Sequence, residues 1–396
     1  MKRIIALCLT SALLFCGCSA DTESSQSASS AEKSEQITTS ATEPTSTATT
    51  VTSSQSSAST TESATADIET EEPVPEGSGT AVIAFAGDTT QSDVFADATA
   101  SRSMEYPFED VAPIFSAADI AFVNLETCVS DRGQSEKKEG YGFRTPPEYL
   151  EVYTLAGIDI VSCANNHARD YGMDALADTF DNLEAYGLDF VGAGSDLAEA
   201  QKLVTYEVNG LTIGFTACNM INHNSTWYAT EERAGLACVD LDDCQWYLDL
   251  ISEYEKQCDV LLVSVHWGLE YMYNFSSKQQ KFGHMLCDSG ADVILGHHPH
   301  VLQPIEQYND SVIFYSLGNF LFYKMDDYAG QTAIFEMEID KDGFVKGKLS
   351  PVFISYCKSK LLGAEEPMYS EIIKLCQELS APYGVSIDDN GVIELL

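Results

Sequence analysis

Short apolar runs in this chain end, one after another, in polar clusters holding a carboxylate, a carboxamide or an imidazole. Ala81-Val82-Ile83-Ala84-Phe85-Ala86 stops at Gly87-Asp88-Thr89-Thr90, and Ile120-Ala121-Phe122-Val123 at Asn124-Leu125-Glu126. Residues 158–163 lead into Asn165-Asn166-His167, and residues 260–265 into His266-Trp267-Gly268. Residues 292–295 lead into Gly296-His297-His298-Pro299-His300, and residues 312–315 into Ser316-Leu317-Gly318-Asn319-Phe320. Uninterrupted apolar runs this short read as strands buried on both faces. Helical spacing fills the intervals at 147–156, 173–186, 240–257 and 276–289, with Gly187 stopping the second and Trp246, Leu250 and Tyr254 on one side of the third. A hairpin is expected where Asn209-Gly210 joins residues 204–208 to 211–217, and a late antiparallel pair at 333–339 and 344–349. Alternating strands and helices predict an α/β domain with a mixed sheet, and open α/β sheets gather ligands beyond their carboxyl strand ends.

Outside that domain the composition changes. Lys2-Arg3 followed by an apolar stretch over 4–15 reads as a secretion signal, too short for a comfortable permanent span. The Cys16-Gly17-Cys18-Ser19 that follows resembles a bacterial lipobox, which implies cleavage before Cys18 and a lipid on its sulfur. Such a chain would be held by its lipid on the extracellular face of the cell membrane. Residues 19–79 are Ser, Thr, Ala and Glu with almost no large apolar side chain, the composition of a disordered tether. The expected organisation is therefore a signal peptide over 1–18, a tether over 19–79, a folded domain over 80–360 and a helical extension over 361–396 with its helix near 371–379.

A formal charge of −40, from 61 acids against 21 bases, argues against nucleic-acid binding, which needs a basic face. The nine cysteines after the tether, Cys128 to Cys376, show no metal-type spacing; Cys238 and Cys244 are close enough in sequence that a disulfide is open.

The strand-end clusters have the chemistry of a metal centre. Asp88 and Glu126 offer carboxylates, Asn166 an amide oxygen, and His167, His266, His297, His298 and His300 imidazoles. Mixed carboxylate and imidazole donors suit Mn, Fe(II) or Zn better than Ca or Mg. They outnumber the needs of one ion, and a two-ion centre would activate a hydroxide for attack on phosphorus. His297 and His298 are adjacent, so both reach one site only if the backbone turns sharply; His298 and His300 are the favoured pair. Arg144 and Arg169 are the basic residues nearest the clusters and candidates to grip a carboxylate or phosphate of the substrate. His223 and His284 read as surface residues.

Together, Gly87-Asp88, Asn124-Leu125-Glu126, Asn165 to Gly172, Ser264 to Tyr271, Gly296 to His300 and Tyr315 to Phe320 resemble the CapA family of bacterial capsule and poly-γ-glutamate synthesis proteins. The resemblance runs over about 81–351. That family is similar to the calcineurin-like metallophosphoesterases, which implies a four-layer αββα sandwich and a centre of two divalent metals. It implies Asp88, Glu126, Asn166, His266, His298 and His300 as metal ligands and His167 as the catalytic imidazole. It further implies capsule polymer biosynthesis or export beside a membrane-bound polymer synthase, with an acidic capsule polymer as partner and either a hydrolase-like activity or a non-catalytic assembly role. Three positions depart from the phosphatase pattern: Thr90 stands where a histidine is usual, Glu126 where an aspartate is, and Asn165 where a glycine is.

Overall fold

The computed structural model of the protein describes residues 79–91, 95, 99–136, 141–221, 225–322 and 328–396. The signal segment, Cys18, the tether and His223 lie outside the described residues. Along the chain the strands are β1 (Thr80–Thr89), β2 (Ile120–Leu125), β3 (Cys128–Val129), β4 (Arg144–Thr145), β5 (Ile160–Ser162), β6 (Asp189–Val191) and β7 (Ala193–Gly194). They continue with β8 (Val204–Val208), β9 (Leu211–Asn219), β10 (Gly235–Leu236), β11 (Val260–His266), β12 (Val293–His297), β13 (Ile305–Tyr308) and β14 (Ser311–Phe314). The last six are β15 (Asn319–Leu321), β16 (Gln331–Asp340), β17 (Gly343–Ile354), β18 (Ser359–Leu361), β19 (Val385–Ile387) and β20 (Val392–Leu395). The described α-helices are α1 (Ala112–Phe115), α2 (Glu151–Ala156), α3 (Gly172–Tyr186), α4 (Leu197–Ala200), α5 (Gln245–Tyr254), α6 (Ser277–Asp288) and α7 (Pro367–Ser380).

Two large sheets result. The first has the order β19-β20-β17-β16-β1-β2-β5-β6, the second β13-β14-β12-β11-β9-β8. In the first, β1, β2, β5 and β6 run parallel while β16 returns antiparallel to β1. In the second, β9, β11, β12 and β14 run parallel, edged by the antiparallel strands β8 and β13. The β8/β9 turn has positive φ at both Asn209 and Gly210, as the Asn-Gly pair requires for a tight hairpin.

Side-chain alternation sets the layers. Ile83 and Phe85 of β1 point into a core shared with Phe122, Ile213, Phe215, Leu262, Leu295 and Phe314, so this core lies between the sheets. Ala84 and Ala86 point the other way, into a second core with Tyr153, Leu176, Phe180 and Leu183 from α2 and α3. On the far side of the second sheet, Leu261, Val263 and Val265 pack with Tyr247, Ile251, Phe282 and Leu286 from α5 and α6. Helix, sheet, sheet, helix: the four-layer αββα sandwich follows from which neighbour each face buries. Rings join the sheets directly, with Phe85 4.9 Å from Phe314 and Phe122 6.0 Å from Phe215.

Two expectations need correction, and the open question of a disulfide is answered between them. Helix α5 buries Tyr247, Leu248 and Ile251, while Trp246 stays exposed, and the helix starts at Gln245 because the residues before it form turns. Cys238 and Cys244 are free thiols, as are the other seven described cysteines, so no disulfide forms there. Beyond residue 360 the expected helix is present as α7, yet the segment is no appendage. Its β19 and β20 extend the first sheet, and Ile372, Ile373, Cys376, Val385 and Ile393 belong to the central core. Among the described residues no helix is long and apolar enough to cross a membrane.

Candidate metal centre

Because β1, β2 and β5 of one sheet and β11 and β12 of the other are parallel within each sheet, their polar carboxyl ends collect at one edge. Two glycines let them close up. A side chain at Gly87 would place its Cβ 1.9 Å from the Gly318 carbonyl, and one at Gly296 would place it 2.1 Å from that of Tyr315. The 315–319 loop is thereby drawn against β1 and β12, and Asp88 N–H donates to Gly318 O at 2.9 Å.

Glu126 sits at the centre of the cluster. It is fully buried, and among the described residues neither carboxylate oxygen has a hydrogen-bond donor. Nε2 of His266 lies 3.6 Å and Nε2 of His167 3.8 Å from its Oε1. One ligand atom each from Glu126, His298 and His300 lie within 4.8 Å of one another. Burial, and then the charge of Asp88, push the Glu126 carboxyl well above its ordinary range. A carboxylate held dry without donors is costly by itself, and a cation is the partner that relieves it. The residues present therefore fit a divalent metal.

Asp88 is buried too, but its oxygens are engaged. Oδ1 accepts from Asn124 Nδ2 at 2.8 Å and meets His297 Nδ1 at 3.1 Å. Oδ2 accepts the backbone N–H of His298 at 3.2 Å and lies 3.4 Å from His300 Nδ1. Burial would raise its pKa, yet the bonds from His297 and His300 hold it well below the ordinary carboxylate range. His300 is the counterpart: burial opposes its charge, but Glu126 and then Asp88 raise it to about 9. Its Nδ1 also meets Asn319 Oδ1 at 2.9 Å. The sharp turn between the histidines is real. His298 and His300 both take positive φ, 96° and 57°, so His297 faces Asp88 while the next histidine turns elsewhere.

On the opposite side, Asn166 Oδ1 stands 2.5 Å from His266 Nε2. Burial, then the neighbouring His298, drive His266 well toward the neutral form. His167 is steered by Asp170, whose Oδ2 lies 2.6 Å from Nδ1 and also accepts Phe143 N–H at 2.9 Å. Asp170 Oδ2, already the acceptor of the Phe143 N–H, holds the Nδ1 side of the ring, and Nε2 is turned toward Glu126.

The structure thus brings Asp88, Glu126, Asn166, His167, His266, His298 and His300 together, with His297 behind Asp88. The two arginines have partners of their own. Arg169 is buried, bonded to the Thr226 carbonyl and 3.3 Å from Glu136. Arg144 lies over the Tyr171 ring at 4.6 Å. His284 is half-buried rather than a plain surface residue, 3.1 Å from Glu306 and stacked on Tyr308. Sequence reasoning missed Asn124, Asp170 and Asn319 as the groups that orient the donors. Each stands inside a strand-end cluster, and that position was the available signal.

Comparison with known proteins gives a consistent neighbourhood. Residues 82–324 match the profile of the bacterial capsule synthesis protein PGA_cap. The chain is 34% identical over 275 residues to the PGA biosynthesis protein CapA of Bacillus subtilis, covering 68% of this chain and 70% of that one. It is 32% identical over 225 residues to the capsule biosynthesis protein CapA of Bacillus anthracis, covering 55% of this chain and only 54% of that one. Among solved structures it is similar to a phosphatase from Mycoplasma pneumoniae, with a TM-score of 0.44 and 14% identity over 69% of this chain and 94% of the other. A putative 5′-nucleotidase from Staphylococcus aureus gives 0.40 and 14% over 71% and 54%. Both structural likenesses are low, and the sandwich rests on this chain's own packing.

Proposed function

This chain belongs to the PGA_cap family of bacterial capsule synthesis proteins, and from that premise we propose that it serves capsule or poly-γ-glutamate biosynthesis through a divalent-metal hydrolase-like centre. The observation that carries the metal is Glu126, a dry carboxylate without donors, ringed by imidazoles. A first ion fits Glu126, His298 and His300. A second would draw on Asn166 and His266, whose facing atoms are 2.5 Å apart beside the same carboxylate. When bound, Mn, Fe or Zn supplies Lewis-acid polarisation of a phosphoryl or carbonyl group.

The chain's own residues do the rest. Asp88 and Asn319 hold His300 at Nδ1, so its orientation is fixed before any ligand arrives. His167, held on its Nδ1 side by Asp170, takes or returns a proton at Nε2. Burial of every donor excludes water and strengthens each charge interaction. The supported reaction class is hydrolysis or transfer at a phosphoester or amide.

The lipobox-like run ending at Cys18 supports an anchor on the extracellular face of the membrane, with 19–79 as tether, beside a membrane-bound synthase and its acidic polymer. A second reading, an assembly factor without turnover, is favoured by Thr90, which stands where the phosphatase pattern has a histidine. Purified full chain with Mn, Fe or Zn should turn over a phosphodiester or γ-glutamyl substrate, and His298→Ala should abolish this. If the metal-loaded protein is inert and His298→Ala cells still produce full capsule, the assembly reading replaces the catalytic one.

A further inference from the structure

One buried carboxamide links three of the strand ends that build the centre. Asn165 has no exposed surface, although it stands in the loop beyond β5. Its Nδ2 donates to the Leu125 carbonyl at 2.8 Å and to Asn124 Oδ1 at 3.2 Å. Its Oδ1 accepts the backbone N–H of His167 at 3.1 Å. Both amide hydrogens are therefore spent on the end of β2, and the oxygen on the His167 peptide.

The backbone partners fix which way each amide faces. A carbonyl only accepts and a peptide N–H only donates, so Asn165 presents Nδ2 to Leu125 and Oδ1 to His167. Asn124 must then offer its Oδ1 to Asn165, which leaves its Nδ2 for Asp88 Oδ1 at 2.8 Å. A directed chain results, from Asp88 through Asn124 and Asn165 to the His167 backbone. Its base is firm. Asn124 pairs in register with Asp88 of β1 and Ser162 of β5, and its carbonyl accepts from Thr89 Oγ1 at 2.8 Å.

The bonds of Asn165 fall beside the site residues. Leu125 precedes Glu126, and Asn165 precedes Asn166 and His167. His167 Nε2 lies 3.8 Å from Glu126 Oε1, and Asn166 Oδ1 lies 2.5 Å from His266 Nε2 of the second sheet. A shift of the 165–167 loop would open both approaches. Asn165 stands where the phosphatase pattern has a glycine, and a glycine could make none of the three side-chain bonds. Its φ is not positive, so the backbone here makes no demand for glycine.

We propose that Asn165 is a positioning residue of the centre, whose carboxamide couples the strand ends of Asp88 and Glu126 to the loop carrying Asn166 and His167. This deepens the metal-centre reading and rests on it for metal binding and turnover, though not for the coupling itself.

The test compares metal-free full chain of wild type, Asn165→Ala and Asn165→Ser, with Mn(II) as the probe. Amide hydrogen exchange, read by mass spectrometry on peptides containing Glu126 and His167, reports the coupling. In Asn165→Ala both peptides should exchange about tenfold faster or more, while peptides over β13 and β14 keep the wild-type rate. Mn(II) affinity by calorimetry should fall by about ten- to a hundredfold. With Mn(II) saturating, kcat on a phosphodiester should drop about tenfold or more while KM stays within about twofold. Asn165→Ser is the milder variant: its hydroxyl can close the turn onto the His167 N–H but brings one donor in place of two. It should fold as wild type does and still lose about tenfold in Mn(II) affinity.

Faster exchange at His167 alone would make Asn165 a former of its own turn and overturn the proposal. Wild-type Mn(II) affinity in Asn165→Ser, or an unchanged kcat in Asn165→Ala, would overturn it as well. Wild type that takes up no Mn(II) sinks the metal reading. Joint release of the Glu126 and His167 peptides in that protein would still uphold the coupling, and independent behaviour of the two would end it.

Discussion

Glu126 and His167 show how single residues are set for a task by the groups around them. With no cation beside it, Glu126 is a destabilising group. In chelator-treated protein, Glu126→Gln should therefore raise stability, by about 1–3 kcal/mol, measured as a shift in Tm or denaturant midpoint. Adding metal should raise the Tm of wild type but not of the variant. For His167 the deciding group is Asp170. Asp170→Asn should lower turnover by roughly a hundredfold or more, while metal content stays at the wild-type level. A proportional loss of metal would instead make Asp170 a structural prop. The donors themselves were legible in the sequence, because each carboxylate or imidazole follows a strand and parallel strands end together. Their orienting partners were not. Asn124 and Asn319 reach Asp88 and His300 through strand pairing, and pairing is invisible in a linear string.

The elements reveal a pattern at the edge opposite the site. Asp119, Asp159, Asp259 and Asp292 each stand one residue before a parallel strand, and each carboxylate accepts a backbone N–H of the neighbouring strand. The acceptances are from Val82 at 2.8 Å, Ala121 at 2.8 Å, Thr212 at 2.8 Å and Leu261 at 2.7 Å. All four aspartates also donate their own N–H to the carbonyl of the same partner residue. Register is thereby pinned at the start of the strands, and the polar ends arrive in step.

Asp292 makes this testable. Burial pushes its carboxyl up to about 6. A raised acid pKa means the folded state favours the protonated form, so the Asp292 contribution is most favourable at low pH. It is lost as pH rises from the unfolded value near 4 through about 6. Asp292→Asn, whose amide oxygen can still accept from Leu261, should gain on wild type by about 2–3 kcal/mol between pH 4 and 7.5. Urea midpoints at the two pH values that change in parallel for both proteins would contradict this. Reading faces proved harder than reading elements. In α5 the sequence placed Trp246, Leu250 and Tyr254 on one side without saying which side is buried; the fully buried residues are Tyr247, Leu248 and Ile251, with Leu250 and Tyr254 packed at the margin of the same core.

On the scale of the molecule, the sandwich is closed by a segment that looked peripheral. Strands β19 and β20 are three and four residues long, too short for alternation to announce them. Still, Ile372, Ile373, Cys376, Val385, Ile387 and Ile393 fill the inter-sheet core. At about 1.5–3 kcal/mol per large buried side chain, their loss rivals a domain's whole stability of about 5–15 kcal/mol. Removal of residues 362–396 should leave a protein that aggregates or binds hydrophobic dye, with no cooperative thermal transition. A truncated chain that melts cooperatively near the wild-type temperature would show the tail to be an appendage after all. The sequence's parallel αβ periodicity announced the sheets, whereas this edge is long-range packing and announced nothing.

Everything proposed for the chemistry depends on metal at Glu126. The most direct measurement is elemental analysis of the purified full chain, after chelation and reloading with Mn, Fe or Zn, beside Glu126→Gln and His298→Ala. The expected result is roughly one to two ions per wild-type chain and a loss of most of that metal in either variant. Wild type that stays empty, or variants that load as fully as wild type, would contradict it.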